Sequence, residues 1–279
     1  MSGPSLLDVD GLNVVYPSRG GVTRAVRDVR FTLGRERLGI VGESGSGKST
    51  TGRALLGLVP APGQVSARKM TFQGKDLTKL DASQWQELRG RRISMVMQDP
   101  KYSLNPVKRI GAQIVETITL HDAAGTGQAR RRALDMLSAV QIHDPERVFN
   151  LFPHQLSGGM GQRAMIAMML VAEPDLLIAD EPTSALDVTV QNEVLRILDD
   201  LVTGRGMGLI FISHNLTVVS SFCDRVLVMY GGRVVEECDA KALDKARHPY
   251  TRALVAAAPR LDVKQHELSV VVRDPAWLT

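Results

Sequence analysis

The chain has 279 residues, of which 44% are hydrophobic and 23% are charged, and its formal net charge is +4. This is the composition of an ordinary globular protein, with enough length for one large domain or two small ones. The longest apolar run, residues 164–172, has nine residues, whereas a transmembrane helix needs about twenty, so we expect no membrane span. Two cysteines form no disulfide framework and the N-terminus has no signal-peptide pattern, so a reducing, cytosolic compartment is expected.

The first forty residues alternate apolar and polar side chains, which is typical of β-strands. The alternation runs over residues 12–16 and again over 29–33, with a turn at 17–21 between them. A buried-type strand at 38–41 then enters a glycine-rich loop, and a helix is predicted from Lys48 to about Leu58.

The middle of the chain changes to helical spacing after a short strand at 93–98. Residues 105–170 contain no convincing strand, so we expect an inserted helical subdomain at about 104–172. The last third alternates strands and helices, which indicates a parallel α/β sheet. Its predicted strands are 176–179, 209–212 and 225–229, its predicted helices are 188–201 and 216–222, and a hairpin at 230–233 precedes helical segments at 240–246 and 250–257.

The glycine-rich loop reads Gly-Glu-Ser-Gly-Ser-Gly-Lys-Ser-Thr and matches the phosphate-binding P-loop pattern. Its backbone N–H groups and the helix N-terminus behind them can form an anion-binding concavity for the phosphates of ATP. Lys48 is expected to bridge the β- and γ-phosphates, Ser49 to bind Mg²⁺, and Thr50 to contact the α-phosphate. The predicted nucleotide-binding residues of the loop are Gly42, Glu43, Ser44, Gly45, Ser46, Gly47, Lys48, Ser49 and Thr50.

The segment 177–182 reads Leu-Ile-Ala-Asp-Glu-Pro, a hydrophobic strand that leads into two adjacent carboxylates, Asp180 and Glu181. Ligands of open parallel sheets bind beyond the carboxyl ends of the strands, so both acids are expected near the phosphates. Asp180 is suited to hold Mg²⁺ directly or through water, and Glu181 is suited to activate the attacking water as a general base.

Two further polar residues lie at the ends of predicted strands: Gln98 is the last residue of the strand at 93–98, and His214 follows the strand at 209–212. Gln98 can reach Mg²⁺ or the attacking water with its amide, and His214 can contact the γ-phosphate. A single Gln is more often a surface residue and a single His more often a structural one, so both catalytic assignments depend on the other motifs.

Residues 156–160, Leu-Ser-Gly-Gly-Met, open a predicted helix over about 160–172. Ser157 and the N–H groups of Gly158 and Gly159 form a second anion site at a helix N-terminus. Since this helix is roughly 20 Å long, Ser157 is expected to lie far from the P-loop of its own chain and to cap the γ-phosphate held by a second subunit. An N-cap without a ligand explains Ser157 but not two adjacent glycines, which cost about 1 kcal/mol each inside a helix.

The order of these motifs resembles the nucleotide-binding subunits of ABC transporters over essentially the whole chain. In that family ATP is held between the P-loop of one subunit and the Ser-Gly-Gly signature of the other, which implies a dimer. The resemblance also implies that Tyr16 stacks on adenine, although a cross-strand aromatic is the alternative, and that Asp187 ends a nucleotide-contacting loop at 184–187. The implied fold class is α/β, a P-loop NTPase core with an antiparallel β subdomain and the inserted α-helical subdomain, over residues 1–260 with a short tail at 261–279.

Three blocks, at 41–49, 97–106 and 248–254, are similar to the dipeptide, oligopeptide and nickel branch of that family. That branch implies solute import with two integral-membrane permeases, an external solute-binding protein, and a second copy of the chain or a sibling ATPase. It also implies a peripheral location on the cytoplasmic face of the bacterial inner membrane. Peptides, nickel or metal chelates, and glutathione-like molecules remain open as the solute.

The chain departs from the usual family pattern at four positions, namely Met160, Gly161, Asn215 and Cys238. Longer relatives in this branch end in a Cys-containing extension. The given sequence shows no such extension, so we expect no iron–sulfur cluster.

A soluble ABC-type ATPase acting on ribosomes or nucleic acid is the main alternative function. Such proteins usually carry two cassettes or a long coiled-coil insertion, and this chain has neither pattern. The arginine clusters at 89–92 and 130–132 lack interleaved aromatics, so we interpret them as solvated helix faces and expect no nucleic-acid partner. An exporter or lipid-extraction ATPase is a third possibility, disfavoured only by the block at 248–254.

Overall fold

The computed structural model describes residues 5–18, 20–184, 186–258, 274 and 277. Its strands are β1 (Leu7–Ser18), β2 (Gly21–Leu33), β3 (Arg37–Val41), β4 (Gln64–Ser66), β5 (Lys69–Phe72), β6 (Lys75–Asp76), β7 (Ile93–Val96), β8 (Leu176–Asp180), β9 (Gly208–Ile212), β10 (Arg225–Tyr230) and β11 (Arg233–Asp239). Its α-helices are α1 (Lys48–Leu55), α2 (Ala82–Leu88), α3 (Ile110–His121), α4 (Thr126–Ala139), α5 (Pro145–Asn150), α6 (Gly158–Leu170), α7 (Val188–Arg205), α8 (Leu216–Phe222) and α9 (Pro249–Ala257).

The chain forms two compact units. Unit 1 comprises residues 1–80 and 210–279, and unit 2 comprises residues 81–209. The boundary falls inside β9. No helix in the described ranges is both long and apolar enough to cross a membrane.

Unit 1 contains an antiparallel sheet in the order β2-β1-β5-β6, with β4 paired to β1. The alternation of buried residues along β1 shifts by one position after Val9, so that Leu12 and Val14 are the next buried apolar residues. Gly11, at φ 66°, lies at this shift, which is also a break in the β1–β2 register. A glycine in the left-handed region at a β-bulge therefore keeps both halves of the strand facing the core.

Unit 1 also contains strands in the order β11-β10-β3-β9. The pair β3 and β10 is parallel and the pair β10 and β11 is antiparallel. Residues 38–41 and 226–230 are all buried, as expected for strands covered on both faces. The predicted hairpin is confirmed, with Gly231 and Gly232 both at positive φ between β10 and β11.

Unit 2 contains the parallel pair β7 and β8, in which every residue is buried. Between these strands the described chain forms the four helices α3, α4, α5 and α6 and no strand. Helix α6 is the most deeply buried of them, with all three residues from Met165 to Ala167 inaccessible to solvent.

Several predicted boundaries were wrong. Helix α1 stops at Leu55 rather than near Leu58, α7 continues to Arg205 because Gly206 ends it in the left-handed conformation, and α6 begins two residues before Met160. Sequence reasoning missed β4, β5, β6 and α2, which are all short. Of the predicted tail at 261–279, all but Asp274 and Trp277 lie outside the described residues.

Candidate functional site

The P-loop lies between β3 and α1 and is crowded by backbone from two other segments of unit 1. A Cβ at Gly42, where φ is 149°, would lie 2.1 Å from the carbonyl oxygen of Met229. A Cβ at Gly47, where φ is 100°, would lie 2.4 Å from the carbonyl oxygen of Ala25. Both positions therefore require glycine for space as well as for backbone conformation.

The N-terminus of α1 has the properties of an anion site. Among the described residues no side chain caps it, and its first turn contains no acidic residue. The first N–H groups of a helix carry partial positive charge and favour phosphate. The Ser46 side-chain oxygen is buried and has no hydrogen-bond partner among the described atoms. A buried hydroxyl with no partner among the described atoms, beside the N-terminus of a helix, fits the phosphates of a nucleotide.

Lys48 is buried, with 5% of its surface exposed, and its position is set by backbone oxygens. Its Nζ donates to the carbonyl oxygens of Gly42 and Glu43, both at 2.8 Å. Ser49 and Thr50 are half-buried on the first turn of α1, while Ser44 and Gly45 at the tip of the loop are exposed. The ammonium group is thus held on the inner side of the loop.

The two predicted carboxylates end β8 in unit 2. Asp180 is buried and Glu181 is half-buried. Glu181 has a φ of 50°, an uncommon conformation for a residue with a side chain. Gln98 lies two residues beyond the end of β7, and its Nε2 donates to Glu181 Oε2 at 3.3 Å. The structure therefore brings together two of the three predicted catalytic residues.

The predicted Mg²⁺ ligands include only one carboxylate, that of Asp180. The described part of the chain contains no group of three or more His, Cys, Asp or Glu side chains able to hold a metal. Mg²⁺ is usually bound by one or two carboxylates together with substrate phosphates and water. The hydroxyl of Ser49 in unit 1 and the carboxylate of Asp180 in unit 2 are each an oxygen donor of the kind that Mg²⁺ prefers.

His214, in unit 1, follows β9 and is exposed. The residue before it, Ser213, is buried, and its N–H donates to the carbonyl oxygen of Ile40 at 3.1 Å. Asn215 caps α8, since its Oδ1 accepts from the N–H of Val218. Asn and Asp are about equally good N-caps, which explains why Asn can replace the acid usual at this position.

The predicted signature starts α6 in unit 2. Ser157 is the N-cap and its Oγ accepts from the N–H of Met160 at 3.4 Å. A Cβ at Gly159 would lie 2.8 Å from Val190 of α7, so this glycine is needed for helix packing. No described atom lies within 4 Å of a Cβ at Gly158, so packing does not explain that glycine. Ser157 and Gly158 are both exposed.

Asp187 and Tyr16 each make contacts within the fold, so each has a structural role besides its predicted nucleotide contact. Asp187 caps α7 by accepting from the N–H of Val190 at 3.0 Å. Tyr16 is half-buried on β1 opposite Thr23, and its Cε1 would lie 2.7 Å from a Cβ at Gly63. The cross-strand alternative for Tyr16 and a nucleotide contact are compatible with this placement.

Sequence reasoning missed two polar residues that contact these motifs. Tyr250 accepts a hydrogen bond at its hydroxyl from the N–H of Glu43, at 2.9 Å. Gln162 is buried in α6 and its Nε2 donates to the carbonyl oxygen of Pro182 at 2.6 Å. Gln162 could have been found from the sequence, because it is a polar residue on the otherwise apolar face of α6. Tyr250 lies in the block at 248–254, whose pattern indicates the importer branch but does not indicate a contact with the P-loop.

Comparison with known proteins identifies the family. The ABC transporter family model matches residues 26–184. A probable peptide ABC transporter ATP-binding protein of Sinorhizobium fredii is 47% identical over 257 residues, which cover 91% of this chain and 77% of the relative. The dipeptide transport ATP-binding protein DppD of Escherichia coli is 43% identical over 267 residues, covering 95% of this chain and 82% of the relative. The oligopeptide transport ATP-binding protein OppD of Bacillus subtilis is 44% identical over 278 residues, covering 98% and 78%.

Solved structures agree with the sequence comparison. A bacterial ABC transporter cassette solved as a dimer has a TM-score of 0.74 and 26% identity, covering 84% of this chain and 98% of the cassette. A post-hydrolysis dimer of the same cassette, bound to ADP and Pi, has a TM-score of 0.73. The predicted fold class, an α/β P-loop ATPase, is confirmed by these neighbours. The chain therefore belongs to the ABC transporter family and is one of its ATP-hydrolysing subunits.

Proposed function

We propose that this chain hydrolyses ATP to drive import of a peptide through a pair of membrane permeases. The observation that carries the proposal is the identity of 43–47% to relatives named as peptide or dipeptide transport subunits, over more than nine-tenths of this chain. Nickel and metal chelates remain a second solute class from the family resemblance alone. No comparison supports the ribosome or nucleic-acid alternative.

The roles of the site residues follow from their chemistry. Lys48 and the P-loop N–H groups bind the phosphates, while Ser49, Asp180 and Gln98 would hold Mg²⁺, which would supply positive charge to neutralise the charge that develops on the phosphates. Glu181 accepts a proton from the attacking water. The hydrogen bond from Gln98 to Glu181 supports this role, because it orients the carboxylate.

The working form is proposed to be a dimer in which Ser157, Gly158 and Gly159 contact the nucleotide of the other subunit. Three features support this arrangement: the exposed Ser157, the unexplained Gly158, and similarity to a cassette solved as a dimer. The second subunit is another copy or a sibling ATPase, and a solute-binding protein outside the cell delivers the peptide. This assembly would hold the chain at the cytoplasmic face of the bacterial inner membrane.

Replacing Glu181 with Gln tests the hydrolytic role. Glu181→Gln keeps the size of the side chain but removes the base, so ATP turnover should fall by about 10²–10⁴-fold while ATP binding persists. Glu173→Gln is the matched control, because Glu173 is an exposed residue of the same type with a similar φ of 54°. Steady-state phosphate release and equilibrium ATP binding are measured for both variants. Near-normal turnover in Glu181→Gln would remove Glu181 from the mechanism.

A further inference from the structure

The backbone of the P-loop forms a hydrogen bond with the side chain of Tyr250, which lies 207 positions after Glu43 in the sequence. The Tyr250 hydroxyl accepts from the N–H of Glu43 at 2.9 Å. Tyr250 is fully buried at the start of α9. The hydrogen bond is partly buried, so removing the hydroxyl would leave the N–H of Glu43 without this acceptor, at a cost in free energy.

This hydrogen bond fixes one particular peptide group. The N–H of Glu43 and the carbonyl of Gly42 belong to the same planar peptide unit. On its other side, that unit accepts from Lys48 Nζ through the Gly42 oxygen at 2.8 Å. Tyr250 and Lys48 therefore form hydrogen bonds with opposite ends of one peptide group. If this peptide group rotated, the Gly42 oxygen that accepts from the Lys48 ammonium would be displaced.

Tyr250 is itself rigidly placed. Helix α9 begins with Pro249, and the Nδ1 of His248 accepts from the N–H of Tyr250 at 3.2 Å. Glu236 of β11 accepts from the N–H groups of Arg247 and His248, at 2.7 and 3.3 Å. The start of α9 is thus tied to β11 as well as to the P-loop.

Aromatic packing completes the support. The Tyr250 ring lies 4.5 Å from the ring of Tyr230 and 5.4 Å from that of Trp277, measured between centroids. Tyr230 differs from Tyr250 in its polar contact, since its hydroxyl donates to the carbonyl oxygen of Asp274 rather than to the P-loop. The two tyrosines share one cluster but only one contacts the P-loop through its hydroxyl in the described hydrogen bonds.

We propose that Tyr250 is a positioning residue for nucleotide binding. Its hydroxyl sets the orientation of the Gly42–Glu43 peptide and, through that peptide, the position of Lys48 Nζ. The effect belongs to ATP affinity, because the Tyr250 hydroxyl holds the same peptide group on which the phosphate-binding ammonium of Lys48 rests. The inference depends on the proposed role of Lys48 in binding phosphate.

The test compares Tyr250→Phe with Tyr230→Phe. Each change removes one hydroxyl from the same aromatic cluster and keeps the ring. Tyr250→Phe should raise the ATP KM and Kd by about 3–10-fold, as expected for the loss of one hydrogen bond, and should change kcat by less than about twofold. Tyr230→Phe should leave all three quantities unchanged. An unchanged KM and Kd in Tyr250→Phe would overturn the inference, as would an equal rise in both variants.

Two more measurements separate this inference from its premise and from misfolding. Lys48→Ala should abolish most ATP binding, and if it does not, the phosphate-binding role of Lys48 fails whatever Tyr250 does. Hydrogen exchange at the Glu43 amide should accelerate in folded Tyr250→Phe and not in Tyr230→Phe. Exchange that stays at the wild-type rate would refute the positioning role without any reference to activity.

Discussion

At the scale of single residues, Glu181 combines a proposed chemical role with an unfavourable backbone. Its φ of 50° lies in the left-handed region, which costs a residue with a Cβ roughly 1–2 kcal/mol. Left-handed backbone at a functional residue is commonly retained for geometry and not for stability. Glu173, at φ 54°, has the same conformation in an exposed turn after α6.

Glycine at either position should therefore stabilise the protein. Glu181→Gly and Glu173→Gly should each raise Tm by about 1–3 °C, because relief of the left-handed strain exceeds the entropy that glycine adds to the unfolded chain. Only Glu181→Gly should lose ATP turnover. Thermal unfolding and phosphate release measured on both variants give the comparison, and a lower Tm in Glu173→Gly would show that strain is not the controlling term.

The motif residues could be proposed from sequence because each motif is continuous along the chain. The P-loop, the strand ending in Asp180 and Glu181, and the Ser-Gly-Gly turn are all complete within nine residues or fewer. The Tyr250 contact could not be proposed, since no local pattern links residues 43 and 250. The hydrogen bond of Gln98 to Glu181 likewise joins residues 83 positions apart.

At the scale of elements, the helices of unit 2 depend on close packing at particular glycines. Gly111 is the second residue of α3, and a Cβ there would lie 2.2 Å from the ring of Phe149 in α5. Gly127 is the second residue of α4, and no described atom lies within 4 Å of its Cβ position. The same substitution should therefore have opposite effects at equivalent helix positions.

Gly111→Ala should lower the free energy of unfolding by about 1–3 kcal/mol, since the ring of Phe149 must move. Gly127→Ala should raise it by up to about 1 kcal/mol, because alanine is the better helix former. Denaturant unfolding of the two variants measures both values. Equal effects would mean that the α3–α5 contact relaxes without cost.

Long periodic elements were easier to predict than short ones. The prediction for α8, residues 216–222, matches the structure at both ends, and α7 was found with only its C-terminal turn missing. Strands β4, β5 and β6 have two to four residues each and exist through pairing with β1 or one another. Such pairing is a tertiary effect that local alternation cannot reveal.

At the scale of the whole molecule, the proposed assembly should use the segment after Gln98. Tyr102 and Val107 follow it in unit 2 and are 83% and 79% exposed. Large apolar side chains that are this exposed are candidates for a protein interface. The block at 97–106 was also one of those that resemble the importer branch.

The tagged chain, purified from detergent-solubilised native cells, should carry two polytopic membrane proteins. Val107→Asp should reduce their recovery several-fold by placing a charge in the interface, while Val22→Asp, at a residue of unit 1 that is 61% exposed, should not. Quantitative mass spectrometry of the eluates measures recovery. Ribosomal proteins or nucleic acid in place of membrane proteins would favour the alternative function.

The distance along the chain between the P-loop and its supports has a consequence for biosynthesis. Gly42 packs against Met229, and Glu43 is bonded to Tyr250, so the loop lacks both partners until most of the chain has been made. At 5–20 residues per second, a ribosome needs roughly 10–40 s to extend the chain from residue 43 to residue 250. During that interval the motif is complete as sequence but lacks its contacts with Met229 and Tyr250. We therefore expect ATP to reach its full affinity only after residue 250 has been made, and to stabilise shorter nascent chains less than chains that extend past that residue.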